Sequence, residues 1–170
     1  MPDGDLKFQP DTMDPRALRT AFGKFATGVT IVTCQSEIGP LGMTANSFAS
    51  VSLTPPLVLW SAARASERCH AFETANNFAI HVLAETQSAP CHAFARDGCD
   101  FDTVDWSYSE RGVPLISGCL ASFECEKYAT YDGGDHSIIV GRVLTASINE
   151  GPPLVFSNGT FGQFKRTESG

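Results

Sequence analysis

Thr44, Asn46, Ser47, Ser50 and Ser52 place five short polar side chains in the stretch from Gly42 to Leu53, between small and apolar neighbours. Phe48, Ser50 and Ser52 share one parity, and Ala49, Val51 and Leu53 share the other. That pattern predicts a strand with one hydroxyl-bearing face and one apolar face. Hydroxyls and an amide held on a strand can hydrogen-bond a flat ligand with several acceptors without setting a charge against it. An edge strand facing water has the same composition. Pro55-Pro56 stops the strand, since proline cannot donate to a ladder.

A second constellation follows at Arg64 and Ser66, ahead of Cys69, Phe72 and Ala75 at helical spacing. Ser66 is placed to cap that helix, and a helix start preceded by an arginine suits an anion. A plain cap beside an exposed arginine would look the same. The four histidines (His70, His81, His92 and His136) are scattered, and no Gly-x-Ser-x-Gly elbow or Gly-x-Gly-x-x-Gly loop occurs. A hydrolytic triad and a Rossmann dinucleotide site are therefore not expected. His136 stands at the mouth of a hairpin, where it is either a surface turn residue or a ligand contact.

Six cysteines (Cys34, Cys69, Cys91, Cys99, Cys119 and Cys125) form no Cys-x-x-Cys pair, and most sit in apolar surroundings. They read as buried thiols acting as small hydrophobes. The Cys69-His70 and Cys91-His92 doublets do not make a zinc site, because adjacent residues on a helix point apart. At 170 residues with 42% apolar and 18% charged residues, the chain reads as one globular domain over residues 14–164. Residues 1–13 read as a loose arm and residues 165–170 as a tail. The formal charge of -7 argues against nucleic acid, and no membrane span or signal pattern is seen, so a cytoplasmic location is expected.

Asp14-Pro15 opens a helix with Leu18, Phe22 and Phe25 on one face and Gly28 to close it. Strands are expected over Val29–Cys34, 42–53, Leu57–Trp60, Phe78–Leu83, Cys119–Tyr128, His136–Ala146 and Pro153–Phe156. A second short helix is expected over Gln87–Ala95, and a loop over 97–117. Strand–helix alternation is too sparse for a doubly wound sheet. The expected class is mainly β, an antiparallel barrel with short helical insertions.

These segments resemble a known family. Ala26-Thr27-Gly28-Val29-Thr30-Ile31-Val32-Thr33, then Gly42-Met43-Thr44-Ala45-Asn46-Ser47-Phe48, then Ser50-Val51-Ser52-Leu53-x-Pro55-Pro56-Leu57-Val58 look like the flavin reductase-like family. Gly134-Asp135-His136-x-Ile138-x-x-Gly141-x-Val143 and Pro153-Leu154-x-Phe156-x-x-Gly159 resemble its later motifs. The resemblance covers about residues 15–164 in the family's order and implies an FMN-binding split barrel. It implies that Thr44, Ala45, Asn46 and Ser47 line the isoalloxazine and ribityl chain, with Ser50 nearby. Ser61, Arg64 and Ser66 would hold the phosphate, and His136 would sit by the nicotinamide. Two departures are His81, where the family often has Asn, and Phe156, where it often has Tyr. Either would alter flavin choice or pocket polarity.

The implied activity is hydride transfer from NADH or NADPH to FMN or FAD, with no side-chain base. The resemblance further implies a homodimer and release of reduced flavin to a separate monooxygenase. The rivals are a flavoprotein electron carrier and a non-catalytic flavin-binding module. The motive for a dimer from the residues themselves is apolar loop side chains such as Trp106 that a lone small barrel would expose.

Overall fold

The computed structural model describes residues 7–10 and 14–167. The arm over 1–13, apart from residues 7–10, and residues 168–170 of the tail lie outside the described residues. The Asp14 carboxylate accepts from the Arg16 N–H at 2.9 Å and caps α1, Pro15–Gly23. The helix is shorter than its spacing suggested. Lys24 caps its C-terminus, Phe25 lies beyond it, and Gly28 belongs to strand β1, Thr27–Gly28. No residue of α1 is buried, and both Phe22 and Phe25 are exposed, so its apolar face meets no core of this chain.

β2 (Thr30–Ser36) and β3 (Gly39–Ala45) form a hairpin. The stretch from Gly42 to Leu53 is not one strand. β3 ends at Ala45, and β4, Ala49–Leu53, starts only after Asn46, Ser47 and Phe48. Nor does β4 have a buried face: Ala49, Ser50, Val51 and Leu53 are all exposed. It is an edge strand whose pairing jumps from Ser50 to Ser52 against β5, Pro56–Ala63. A bulge at Val51 defeats strict alternation.

A short helix α2 (Cys69–Thr74) leads into β6, Asn77–Val82. A 3-10 turn at Glu85–Gln87 precedes α3, Ser88–Arg96, close to the expected helix. The expected loop at 97–117 holds a small hairpin, β7 (Trp106–Tyr108) with β8 (Pro114–Ile116). Long strands β9 (Ala121–Gly133) and β10 (His136–Ile148) form the largest hairpin, and β11 (Leu154–Ser157) pairs with β12, Thr160–Gln163.

Seven strands make one antiparallel sheet in the order β3-β2-β6-β9-β10-β5-β4. Its two edges are consecutive in sequence, joined only by Asn46, Ser47 and Phe48. Flat, the edges would lie six strand spacings or about 29 Å apart. The four chain steps from Ala45 to Ala49 reach at most about 14 Å. The sheet must therefore curl until its edges meet, as a barrel whose last seam is not hydrogen-bonded. Residues 46–48, Asn-Ser-Phe, span that seam.

The interior holds Val32, Val58, Trp60, Phe78, Ile80 and Ile139, with Cys69 and Phe72 of α2 packed against them. Phe72 meets Trp60 edge-on at 5.0 Å, and burying such a side chain stabilises by roughly 1.5–3 kcal/mol. A second core lies outside the barrel, where Ile31, Leu83, Phe94, Phe101, Ile116 and Leu154 join α3, β8 and β11 to the sheet. Trp106 packs on this second core, 5.0 Å from Phe101, so it is not the exposed apolar residue expected of it.

His81 explains how the outer layer is fastened. It is fully buried; its Nδ1–H donates to Ile31 O at 3.0 Å, and its Nε2 accepts from Ile116 N–H at 3.1 Å. Burial pushes its pKa down to about 4, so the ring is neutral near pH 7. With both nitrogens committed to backbone groups, His81 joins β6 to β8. It does not tune a ligand pocket as the family departure suggested. Phe156 likewise packs into the outer layer, its ring tilted against Phe161 at 5.2 Å.

Candidate functional site

The seam is built from what the barrel closure leaves over. The backbone N–H groups of Asn46, Ser47 and Phe48 take no hydrogen-bond partner among the described residues. Ser47 fixes their position: its hydroxyl accepts from Ser61 N–H at 2.9 Å and donates to Ser61 O at 3.1 Å. Asn46 is exposed, while Phe48 stacks on Phe123 at 5.6 Å and anchors the segment to the interior. Unpaired backbone donors on an anchored segment are a ready polar cradle.

The candidates do not all converge. Thr44 turns its hydroxyl to the Cys91 carbonyl at 2.7 Å and ties β3 to α3. Ala45, the last residue of β3, is half-buried beside the seam. Ser50 is exposed and pairs with Val58, three residues before Ser61 on β5. β5 then carries the chain from Ser61 to Arg64, three steps or about 10 Å along a strand.

Arg64 and His136 are brought together at the β9–β10 turn. Arg64 N–H donates to Asp135 O at 3.0 Å, and His136 pairs across the ladder with Ala63. The turn is tight. Only Gly134 and Asp135 connect the strands, with Gly134 at φ +75°, a conformation open to glycine at low cost. The His136 Nδ1–H donates to Asp135 Oδ1 at 2.7 Å, leaving Nε2 without a partner among the described residues. That bond holds the Asp135 carboxyl below the usual carboxylate range.

Ser66 does not cap a helix. α2 starts at Cys69 with Arg68 in the cap position and no side-chain cap, and Ser66 Oγ accepts from Arg68 N–H at 3.3 Å. An α2 of six residues supplies little dipole, so the expected anion site rests on the Arg64 charge. A hollow of about 480 Å³ lies there, lined by Arg64, Ser66, Glu67, Cys69, His70 and Glu73. A larger groove of about 930 Å³ continues from it past Arg68 and Arg96. None of Thr44, Asn46, Ser47, Ser50 or Ser61 lines either hollow, so size alone does not locate the chemistry.

Sequence reading missed Arg68. Its guanidinium donates to Phe94 O at 2.7 Å, Gly42 O at 3.1 Å and Ala95 O at 3.2 Å, clamping the C-terminal end of α3 onto β3. Nothing in the spacing Ser66-Glu67-Arg68 separates this clamp from Arg64. Five of the six thiols are buried, as expected, and Cys99 is exposed. Burial lifts Cys34 and Cys125 to about 12 and Cys91 and Cys119 to about 11, so they stay protonated and inert.

The arrangement thus offers uncharged donors at a seam, one guanidinium a short strand away, and an imidazole beside it. It suits a ligand with a flat, acceptor-rich end and an anionic tail. Comparison with known proteins gives the family. The family model described as a flavin reductase like domain matches residues 22–165. The chain is 54% identical over 159 residues to the FMN reductase (NADH) SmoA of Agrobacterium fabrum, covering 94% of this chain and 91% of that protein. It is 41% identical to the reductase subunit HsaB of a flavin-dependent monooxygenase from Rhodococcus jostii, covering 93% and 82%. Among solved structures, the Streptomyces globisporus NADH:FAD oxidoreductase SgcE6 with NAD and FAD fragments superposes with TM-score 0.88, at 40% identity, covering 97% of this chain and 100% of that one. Split-barrel architecture and sequence therefore agree that this chain belongs to the flavin reductase-like family.

Proposed function

We propose that this protein is an NAD(P)H:flavin oxidoreductase that takes FMN or FAD, oxidises NADH or NADPH, and supplies reduced flavin to a separate monooxygenase. The observation that carries the reading is the seam at Asn46, Ser47 and Phe48, with its unpaired N–H groups fixed against Ser61 and Arg64 a short strand away. These donors fit a flavin: a neutral ring with several acceptors at one end and a phosphate at the other. When bound, the flavin supplies the two-electron chemistry that the chain's own side chains lack.

The chain's part is to bind, orient and exclude water. Asn46, Ser47 and the 46–48 backbone hold the polar edge of the ring, with Ala45 and Ser50 beside it, and Ser61 stands with Arg64 and Ser66 toward the phosphate end. Donors aimed at a ring that gains negative charge strengthen as it does so. Arg64, with Ser66 close by, anchors the anionic tail, and His136 offers Nε2 to the nicotinamide or its phosphates. Thr44 serves by fixing β3 to α3. Rate then comes from holding two rings in contact, with no general base.

The exposed apolar side chains support a homodimer. Phe22, Phe25, Val51 and Leu53 lie on α1, the segment after it, and β4, and Leu53 is 93% exposed. A second copy of this chain would cover them. The monooxygenase partner rests on the roles named for relatives such as HsaB.

Mixing the purified protein with NADH and excess FMN tests the reading. Sustained NADH loss is expected. A tightly yellow protein that turns over once would instead mark an electron carrier, and no NADH oxidation at all would leave a flavin-binding module.

A further inference from the structure

Arg64 is held at two points of unequal firmness. Its Nε–H donates to Ser137 Oγ at 3.2 Å, and its Nη2 pairs with Asp132 Oδ1 at 2.7 Å. Ser137 and Asp132 are opposite one another across β9 and β10. Ser137 is fully buried and donates its hydroxyl hydrogen bond to Glu73 Oε1, and the Glu73 backbone carbonyl in turn accepts from Lys127. Asp132 has no such support: its side chain is 77% exposed and has no other partner among the described residues.

We propose that Asp132 is an internal stand-in for the ligand's phosphate. It occupies the loose end of Arg64 until the phosphate displaces it, while Ser137 and Glu73 keep the other end fixed. The inference rests on the reading that Arg64 anchors the flavin's anionic tail. The exchange is cheap in the required direction, because an exposed carboxylate pair is weak and salt-screened. A phosphate offers the same guanidinium a charge-assisted, bidentate partner. The buried Ser137–Glu73 bond survives the exchange, so Arg64 gives up one partner rather than its orientation. Asp132 thereby becomes a specificity residue: it taxes every phosphorylated flavin and leaves an unphosphorylated one untouched.

Titrating flavin fluorescence with the full chain at low salt tests this, using FMN and riboflavin as probes. Asp132→Asn should tighten FMN by about threefold, the scale of an exposed ion pair, and leave riboflavin where it was. The gain should vanish when Arg64→Ala is also present. Ser137→Ala should weaken FMN and spare riboflavin. If Arg64→Ala leaves the FMN-to-riboflavin preference at the wild-type ratio, the anchor itself fails, and the functional reading loses its phosphate site. If Arg64→Ala lowers that preference but Asp132→Asn leaves FMN unchanged or weaker, the stand-in is wrong and the anchor stands. Equal loss of both flavins in Ser137→Ala would overturn the positioning role.

Discussion

His81 makes the stability of this fold sensitive to acid over a defined window. An unfolded chain protonates a histidine near pH 6.5, whereas the buried ring resists protonation down to about 4. Between those values the unfolded state holds more protons, so stability falls as pH falls. Below about 4 both states are protonated and the slope ends. The gap corresponds to about 3 kcal/mol at 1.36 kcal/mol per decade. In a chain of this size that is a drop of about 6–12 °C in Tm. Carboxylates add their own acid dependence, so the measurement is a difference: thermal melts of wild type and His81→Leu across pH 7 to 4. Leucine leaves Ile31 O and Ile116 N–H unpaired, costing about 1–3 kcal/mol for each at neutral pH. It does not titrate, however, so the wild-type advantage should shrink by about 3 kcal/mol on acidification. His81→Asn serves the same test if the leucine variant fails to fold. A constant advantage across the window would refute the claim that a neutral, buried His81 bears on stability.

Three further outcomes are expected. His136→Ala should raise the KM for NAD(P)H while flavin affinity stays within about threefold; an unchanged KM makes His136 a turn residue that only bonds Asp135. Arg68→Ala should destabilise by about 2–5 kcal/mol in denaturant melts, since it strips one charged donor from Gly42, Phe94 and Ala95 carbonyls at once. Leu53→Asp should shift the protein from dimer to monomer in sizing at micromolar concentration, and a monomeric wild type with flavin bound would remove the dimer.

Some of this was legible in the residues and some was not, for physical reasons. Asp14 as N-cap, Pro15 at the first helical position and the β9–β10 turn rest on bonds within a few residues, so local spacing carries them. The 42–53 stretch failed because alternation reports a strand's faces and not what lies against them. Val51 and Leu53 face no core of this chain, and the break after Ala45 comes from curling seven strands until their edges meet. That break is a property of the whole sheet. Arg64 and Arg68 show the same limit at the site. Four residues apart, one ends at the β9–β10 turn and the other at α3, partners 26 to 73 positions away in sequence. His81 and Glu124 are the sharpest cases. Each sits where alternation implies either solvent or a ligand, yet each is buried to hold the segment 97–117: His81 through Ile116, Glu124 through Ser109 at 2.6 Å and Arg111 at 3.2 Å. A polar residue in a strand therefore signals a function in this fold only when its partners are missing. On that test the buried, fully bonded His81 and Glu124 are structural, whereas the seam at Asn46, Ser47 and Phe48 leaves backbone donors unpaired among the described residues beside the barrel interior, where Trp60 Nε1 also lacks a partner.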